Sequence, residues 1–411
     1  MKNLFISKKI ILVVIPILSL YLGFLFDEDL STGGSKVDFY KTLPAIKDFS
    51  NLIFNNFNIY TRHFPLHYLT LSLPYFIFDD VYIMRNFYLL FSLTLPIFVY
   101  INLCKIYRIS KINILIISAS LIFLPYFRSS AIWPNAHLTA IIFLTIGNYF
   151  YIRSIESNKL IHKFMNVFFL SLSTYCVQSY VIFFIFYLFN YYKKDTKKNF
   201  FKLMIFCIFF SLPGFFLVFN NPREGIAGLE FSENFSYTII TNLSIVFFFL
   251  IFFLINKNNF KLIKNYFYYL KKFEFFILLF LFILLLFCFD VIKTPVGGGF
   301  FYKISFFLFK NKLLFFVSGF LGLLTLYILF KNEKKIFYTI LLINFTSISY
   351  YTSQRYFEPL LIVSILIFHQ NFLSKNIINN FKNILTFYTL IFIYYLIASI
   401  NNIYNLSKLN I

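Results

Sequence analysis

Charged residues are scarce in this chain of 411 residues, where Asp, Glu, Lys and Arg together supply 13%. A soluble domain carries about 25% charged and about 45–50% apolar residues, whereas 60% of this chain is hydrophobic. This scarcity of charge excludes an ordinary soluble domain. The apolar runs are also more continuous than the alternating strands of about 10 residues in a membrane β-barrel. We therefore predict an all-α, polytopic membrane protein.

Cysteine is rare as well, and the common catalytic signatures are missing. The chain has four cysteines, all within or at the edge of apolar runs. Their spacing fits no zinc motif, so we interpret them as small buried hydrophobic residues. The sequence contains no Walker-type phosphate loop and no GxSxG, HExxH or CxxC motif. We therefore predict no disulfide framework and assign no metal ligands.

The basic residues recur in short clusters between the apolar runs, and this pattern predicts the topology. About 20 apolar residues span a bilayer, and the runs predict about 13 transmembrane helices, the first over residues 10–26. Lysines precede this first run, so the positive-inside rule places the N-terminus in the cytoplasm and the C-terminus outside. The net charge of +21 therefore indicates topology and not nucleic-acid binding. We expect a multi-pass protein of the cell (inner) membrane.

One apolar run is too long for a single crossing. Residues 164–192 lie between two predicted cytoplasmic clusters, and Cys176 to Ser179 interrupts the middle of the run. We interpret the run as a hairpin of two short helices. Gln178 at its tip favours a helix–helix hydrogen bond over a role in binding.

The first predicted outer loop, residues 27–85, is the first long polar-bearing segment of the chain. Within it, residues 43–57 have helical apolar spacing with a mixed polar face, which predicts an interfacial helix. Residues 64–78 are apolar, short and interrupted by two prolines, which favours a re-entrant or interfacial hairpin. The loop also concentrates carboxylates, which we predict to carry the chemistry: Asp27, Glu28, Asp29, Asp38, Asp48, Asp79 and Asp80.

The order of these parts resembles the GT-C superfamily of glycosyltransferases. Members have a first transmembrane helix, an outer loop with an acidic residue, interfacial helices, a Pro-Leu element, a basic cytoplasmic turn and a second outer loop. The segment from Gln354 to Pro359 is similar to an element that comes later in the chains of this superfamily. The closest likeness is to the branch that includes dolichyl-phosphate-glucose-dependent glucosyltransferases and bacterial homologues. The matching pieces lie within about residues 10–190: Asp38, Pro44 to Ile46, Phe64 to Tyr68, Lys105 to Lys111 and Arg128 to His137.

The resemblance implies an inverting transfer of a sugar from a polyprenyl-phosphate donor to a lipid or glycan acceptor on the outer face. It implies one continuous membrane domain, in which residues 1–200 form the catalytic module and residues 201–411 complete the cavity. The expected partners are donor, acceptor and membrane lipids. A divalent metal is left open as a cofactor. Many members carry a second acid in the second outer loop, whereas this chain offers Asn135 and His137, which argues against a two-carboxylate metal site.

Asp38 is the predicted catalytic base, because its place between the first span and the Pro-Leu element is similar to the family's arrangement. An acceptor hydroxyl must lose its proton as it attacks, and a carboxylate within hydrogen-bond reach can take that proton. The competing interpretation of Asp38 is a solvated loop acid or a helix cap. Asp27 and Asp29 are alternative catalytic carboxylates, although flanking charge on the outer side is the stronger interpretation of both.

Cationic side chains are needed wherever the donor phosphate leaves. Arg128 and Arg355 are the predicted phosphate ligands, because a guanidinium fork matches phosphate oxygens. Arg62 and His67, with His63 beside them, form a second predicted substrate-binding group at the membrane edge. Each of these residues can instead flank a span or serve packing alone.

Other classes of protein remain as alternatives. A polyprenyl-linked oligosaccharide polymerase fits, because it also works on outer-face polyprenyl substrates. A flippase is expected to carry a buried cationic cavity, and an ion-coupled transporter to carry charges in broken helices at mid-membrane. The apolar runs of this chain hold almost no such charges.

Overall fold

The computed structural model describes residues 2–31, 34–48, 63–220, 235–289, 299–346 and 354–409. These residues form helices joined by short turns, and no β-strand occurs among them. Six of the described helices are long and apolar enough to cross a membrane, or up to eight if each of two sharply bent helix pairs is one span. These are the helices of a multi-pass membrane protein. The predicted number of about 13 crossings is not confirmed.

The chain divides into two compact units. The first unit comprises Met1–Gly228 and Ile391–Ile411, and the second comprises Leu229–Leu390. The predicted division of roles between residues 1–200 and 201–411 concerns catalysis and stays a prediction.

The first unit contains every predicted site residue except Arg355. Helices α4 and α5 follow each other almost without a break and count together as one candidate span, Val81–Ile106. The helices of this unit are α1 Lys2–Leu25, α2 Gly34–Lys47, α3 Leu66–Phe78, α4 Val81–Ser92, α5 Thr94–Ile106, α6 Lys111–Ser120, α7 Pro125–Ile132, α8 Ala136–Ser157, α9 Leu160–Cys176, α10 Phe183–Lys194 and α11 Lys197–Asn220.

The break predicted inside residues 164–192 is confirmed. Helix α9 ends at Cys176, Val177 is extended, and a 3₁₀ turn over Gln178–Ile182 leads into α10. The Ser173 hydroxyl in the last turn of α9 donates to the carbonyl of Ala140 in α8, at 2.8 Å. This bond helps to hold the end of α9 against α8.

A bend of 69° separates α6 from α7, where the sequence predicted a crossing over residues 112–127 followed by an outer loop over residues 128–137. Leu124 is extended, because a residue before proline is pushed away from the helical region. Pro125 then begins α7, where its fixed φ suits a first turn. Residues 128–132 are therefore helical and buried instead of forming an open loop.

Helix α2 also differs from the prediction, because it begins at Gly34 and not near residue 43. Its first turn is stabilised from the preceding loop. The Ser31 hydroxyl accepts the Ser35 N–H at 2.7 Å, and the Asp29 carboxylate accepts the Lys36 N–H at 2.9 Å. Asp38 consequently lies inside the helix. Most of the predicted interfacial helix, residues 49–57, lies outside the described residues.

The second unit is built around α12 and α16, which approach each other closely. A Cβ atom at Gly322 of α16 would overlap the backbone carbonyl of Leu243 in α12, and the hydroxyls of Ser244 and Ser318 share a hydrogen bond of 2.7 Å. Small residues at a helix contact permit such an approach in membranes. The sequence predicted neither α13 nor α15. The helices are α12 Phe235–Leu254, α13 Lys257–Tyr268, α14 Lys272–Phe287, α15 Gly299–Phe309, α16 Leu313–Asn332, α17 Lys334–Thr346, α18 Leu360–Ile367 and α19 Phe372–Ile378. The last helix, α20 Phe381–Leu409, begins in this unit and belongs to the first unit from Ile391 onward.

Candidate functional site

Arg128 of α7 lies at the centre of a buried ion pair at the end of α1. Its Nε donates to Oε1 of Glu28 at 2.6 Å, and its Nη2 donates to Oε2 at 2.9 Å. Nη1 donates to the hydroxyl of Ser19 and Nη2 to its carbonyl, and the guanidinium lies 4.5 Å from the ring centre of Tyr395. The Arg128 side chain is fully buried. A phosphate could reach its fork only by displacing the Glu28 carboxylate, so the phosphate role stays a prediction.

A second arginine, Arg85 of α4, holds the same loop. Its Nη2 contacts Oδ1 of Asp27 at 2.7 Å, and its Nε donates to the carbonyl of Ile132 at 3.0 Å. The guanidinium stacks 3.6 Å above the ring of Trp133, whose indole N–H donates to the carbonyl of Glu28. Asp27, an alternative base by sequence, is thus an ion-pair partner. No sequence pattern pointed to Arg85, and Glu28 was predicted only as one of the loop carboxylates and not as a partner of Arg128.

Asp29, the other alternative base, anchors the start of α2. Its side chain is buried; Oδ1 accepts from the N–H of Ser31 at 2.9 Å, and Oδ2 accepts from the N–H of Lys36. A carboxylate at a helix start satisfies otherwise unpaired N–H groups and complements the helix dipole. Next to it, the Leu30 N–H donates to the hydroxyl of Ser129 in α7.

These contacts fix α2, and α2 carries Asp38. Phe39 is buried, with its ring centre 5.9 Å from that of Trp133, and the Lys36 ammonium lies 4.9 Å above the same ring. Asp38 is partly exposed. The pKa of Tyr68, in the first turn of α3, is raised by burial first, then by Cys176 and by the Asp38 carboxylate. The carboxylate therefore lies within electrostatic reach of the start of α3.

His67, predicted to bind substrate, is buried in the contact between α3 and α8. Its Nδ1 lies 2.8 Å from the hydroxyl of Thr139, which also meets the hydroxyl of Tyr88 at 2.9 Å. Burial, followed by the charge of His63, lowers the pKa of His67 to about 3. The imidazole is therefore neutral near pH 7, and it holds α3 in place. Its role in substrate binding stays a prediction.

Three partly exposed polar side chains meet beside this contact, and we call them the histidine cluster: His63, His137 and Gln178. The rings of His63 and His137 are 5.2 Å apart, edge to face, and Nδ1 of His63 lies 3.5 Å from Oε1 of Gln178. The ring of Tyr180 lies 6.4 Å from that of His137. Its hydroxyl is buried and has no hydrogen-bond partner within the described residues. Imidazole, amide and phenol groups all donate hydrogen bonds that suit phosphate oxygens.

The remaining predicted residues lie elsewhere. Arg62 falls outside the described residues. Arg355 belongs to the second unit, in a 3₁₀ turn before α18. Its guanidinium lies 5.1 Å from the ring centre of Tyr356 and donates to that hydroxyl at 3.2 Å. The neighbouring Gln354 accepts the Phe300 N–H at 2.8 Å and so supports the start of α15.

Across the described ranges, no group of three or more His, Cys, Asp or Glu side chains is arranged to hold a metal ion. No protein-family model, no curated protein and no solved structure matches this chain. The resemblance to the GT-C superfamily therefore stays a prediction.

Proposed function

We propose that this protein is a membrane glycosyltransferase that moves a sugar from a polyprenyl-phosphate donor to a lipid or glycan acceptor. The observation that carries the proposal is the setting of Asp38. Its helix is fixed by Asp29 at one end and packs on Trp133, yet the carboxylate remains partly exposed and within electrostatic reach of α3. A base held on a rigid element but open to an acceptor is what proton abstraction requires.

The proposed reaction is a direct displacement. The acceptor oxygen forms a bond to the anomeric carbon, and the bond from that carbon to the phosphate oxygen breaks. The phosphate leaves with the electron pair, while Asp38 takes the proton of the acceptor hydroxyl. General-base assistance of this kind contributes typically about 10²–10⁴-fold in rate.

The proposed position of the donor phosphate is the histidine cluster. Its three side chains are partly exposed, and the buried Tyr180 hydroxyl beside them has no described acceptor for its proton. Arg62 immediately precedes His63 in the chain, and its role as a charged phosphate ligand stays a prediction from the sequence. Arg128 is the weaker candidate, because Glu28 already occupies its fork.

The polyprenyl tail needs an apolar surface open to the bilayer, and α3 offers one. Leu73, Phe76 and Ile77 on this short helix are all more than half exposed. The proposal includes the finer topology predicted from the sequence, with about 13 crossings, a cytoplasmic N-terminus and the site on the outer face. Several long apolar helices support the multi-pass arrangement that this topology requires.

The test is to incubate the purified protein with radiolabelled polyprenyl-phosphate sugars and a membrane extract, and to follow the label. Transfer to a lipid or glycan fraction is expected, with loss of free polyprenyl-phosphate sugar. Absence of transfer from every donor, by protein that is monodisperse and folded, would contradict the proposal.

A further inference from the structure

A basic stripe runs along α13 in the second unit. Its members recur at intervals of three or four residues, which places them on one face of the helix, and all of them are exposed. The basic stripe consists of Lys257, Lys261 and Lys264, and the exposed Tyr268 continues the same face.

The opposite face of α13 is fixed to the rest of the unit. Ile263 and Asn259 are buried, and Nδ2 of Asn259 donates to the carbonyls of Phe253 and Leu373, at 2.8 and 3.1 Å. Asn376 of α19 donates to Oδ1 of Asn259 at 2.7 Å. Because both the amide nitrogen and the amide oxygen of the buried Asn259 form hydrogen bonds, the helix cannot rotate freely, and the basic stripe faces outward.

Acidic residues are scarce along this part of the sequence. Lys271 and Lys272 follow the basic stripe, and both are exposed. Glu274 is the single acid within residues 257–289, and both of its carboxylate oxygens bind the ammonium of Lys331, at 2.8 and 2.9 Å. None of the five lysines forms an ion pair with a carboxylate in the described part of the chain.

An exposed apolar helix begins where the basic stripe ends. In α14, the side chains of Phe273, Phe276, Phe280 and Phe287 are 74%, 63%, 60% and 84% exposed. Lysines followed at once by exposed aromatic residues are typical of the boundary between lipid headgroups and acyl chains, where charged heads stay in water and apolar bodies enter the lipid.

A cavity of about 340 Å³ opens beside α13, between this helix and the end of α16. Its polar side is formed by Asn265, Lys331 and Asn332. Binding sites for small ligands begin at about 300 Å³. The apolar and aromatic lining of the cavity consists of Leu262, Tyr266, Tyr269, Leu270 and Ile328.

We propose that the basic stripe and this cavity form a binding site for an anionic phospholipid. The stripe lysines hold the phosphate of the headgroup, and part of one acyl chain occupies the cavity. Uncompensated lysines select an anionic over a zwitterionic lipid, and the apolar lining selects a lipid over a free phosphate. The site lies wholly within the second unit and is independent of the glycosyltransferase proposal.

The test uses the purified full chain in non-ionic detergent, titrated with phosphatidylglycerol or phosphatidylcholine, with bound lipid counted by native mass spectrometry. The stripe variant carries Lys257→Gln, Lys261→Gln and Lys264→Gln. Each lysine at an anionic lipid surface contributes roughly fivefold, so phosphatidylglycerol should bind about 100-fold more weakly. The matched control changes three exposed lysines of the first unit in the same way, namely Lys194, Lys197 and Lys198.

The control variant should keep phosphatidylglycerol affinity within about twofold, because its lysines lie outside the site. Equal losses of phosphatidylglycerol affinity in the stripe variant and the control variant would overturn the proposal, because they would show that the lipid responds to overall charge and not to this site. A stripe variant that binds as tightly as the unmodified chain would also overturn it. The cavity is tested by Leu270→Trp, which should weaken the binding of phosphatidylglycerol because the larger side chain fills the cavity. An excess of inorganic phosphate should displace phosphatidylglycerol neither from this variant nor from the unmodified chain. Full competition by inorganic phosphate would assign the lysines to a free anion and refute the lipid site.

Discussion

Replacing Glu28 by Gln tests the buried ion pair that holds the loop between α1 and α2. Arg128 is fully buried, and the Glu28 side chain is only 16% exposed, so water cannot replace the lost carboxylate. Removing one partner of a buried pair costs about 3–5 kcal/mol. The Gln amide oxygen still accepts one guanidinium hydrogen bond, which reduces the expected loss in unfolding free energy to about 2–3 kcal/mol.

The matched control is Asp27→Asn, which removes the carboxylate of the neighbouring pair. The Arg85 side chain is buried, but the Asp27 side chain is 51% exposed, so water can replace the lost carboxylate and the expected loss is about 1 kcal/mol. The assay is reversible unfolding in mixed detergent micelles, followed by the loss of helical circular dichroism. A loss for Glu28→Gln no larger than that for Asp27→Asn would refute the assignment of Arg128 and Glu28 as the anchor.

Three further predictions concern topology, packing and pH. An impermeant thiol reagent should label Lys41→Cys in intact cells but not Ser157→Cys, because the basic clusters place residue 41 outside and residue 157 inside; the reverse labelling would overturn the orientation. Gly322→Ala should cost about 1–3 kcal/mol of unfolding free energy, since its Cβ would overlap the carbonyl of Leu243; an unchanged stability would show that α12 and α16 do not pack this closely. The His67 imidazole stays neutral in the folded chain down to a pKa of about 3, against 6.5 when unfolded. The unfolded chain therefore gains protons as pH falls below 6.5, and stability should drop by about 2 kcal/mol at pH 5. His67→Asn should remove this contribution and leave the separate one from His369, whose pKa burial lowers to about 4; a pH dependence unchanged by His67→Asn would refute the assignment to His67.

The sequence predicted the long uninterrupted helices best. Residues 138–152 and 237–255 were expected to cross the membrane, and α8 and α12 contain almost all of them. Continuous apolar runs without proline leave few alternatives to a buried helix. The bend before α7 was missed, because Pro125 can also lie within an apolar run without ending a crossing, as Pro213 does inside α11.

The candidate site was harder to predict, because its side chains are paired over long sequence distances. Arg128 was expected to face an outer loop, but its partner Glu28 lies 100 residues earlier in the chain. No local pattern encodes such a pairing. The role of Asp29 did have a local signal, since Asp and Ser immediately before a helix commonly accept its first N–H groups. That signal was obscured by placing the start of the helix near Pro44.

The most direct test of the central claim compares sugar transfer by Asp38→Asn and Asp48→Asn. Both lie on the same segment, and only Asp38 is proposed to take the acceptor proton. Asp38→Asn should lose about 10²–10⁴-fold in turnover while donor binding, measured separately with labelled polyprenyl-phosphate sugar, stays unchanged. Asp48→Asn should retain nearly full turnover. Near-normal turnover of Asp38→Asn, under conditions where the unmodified chain transfers sugar, would contradict the account.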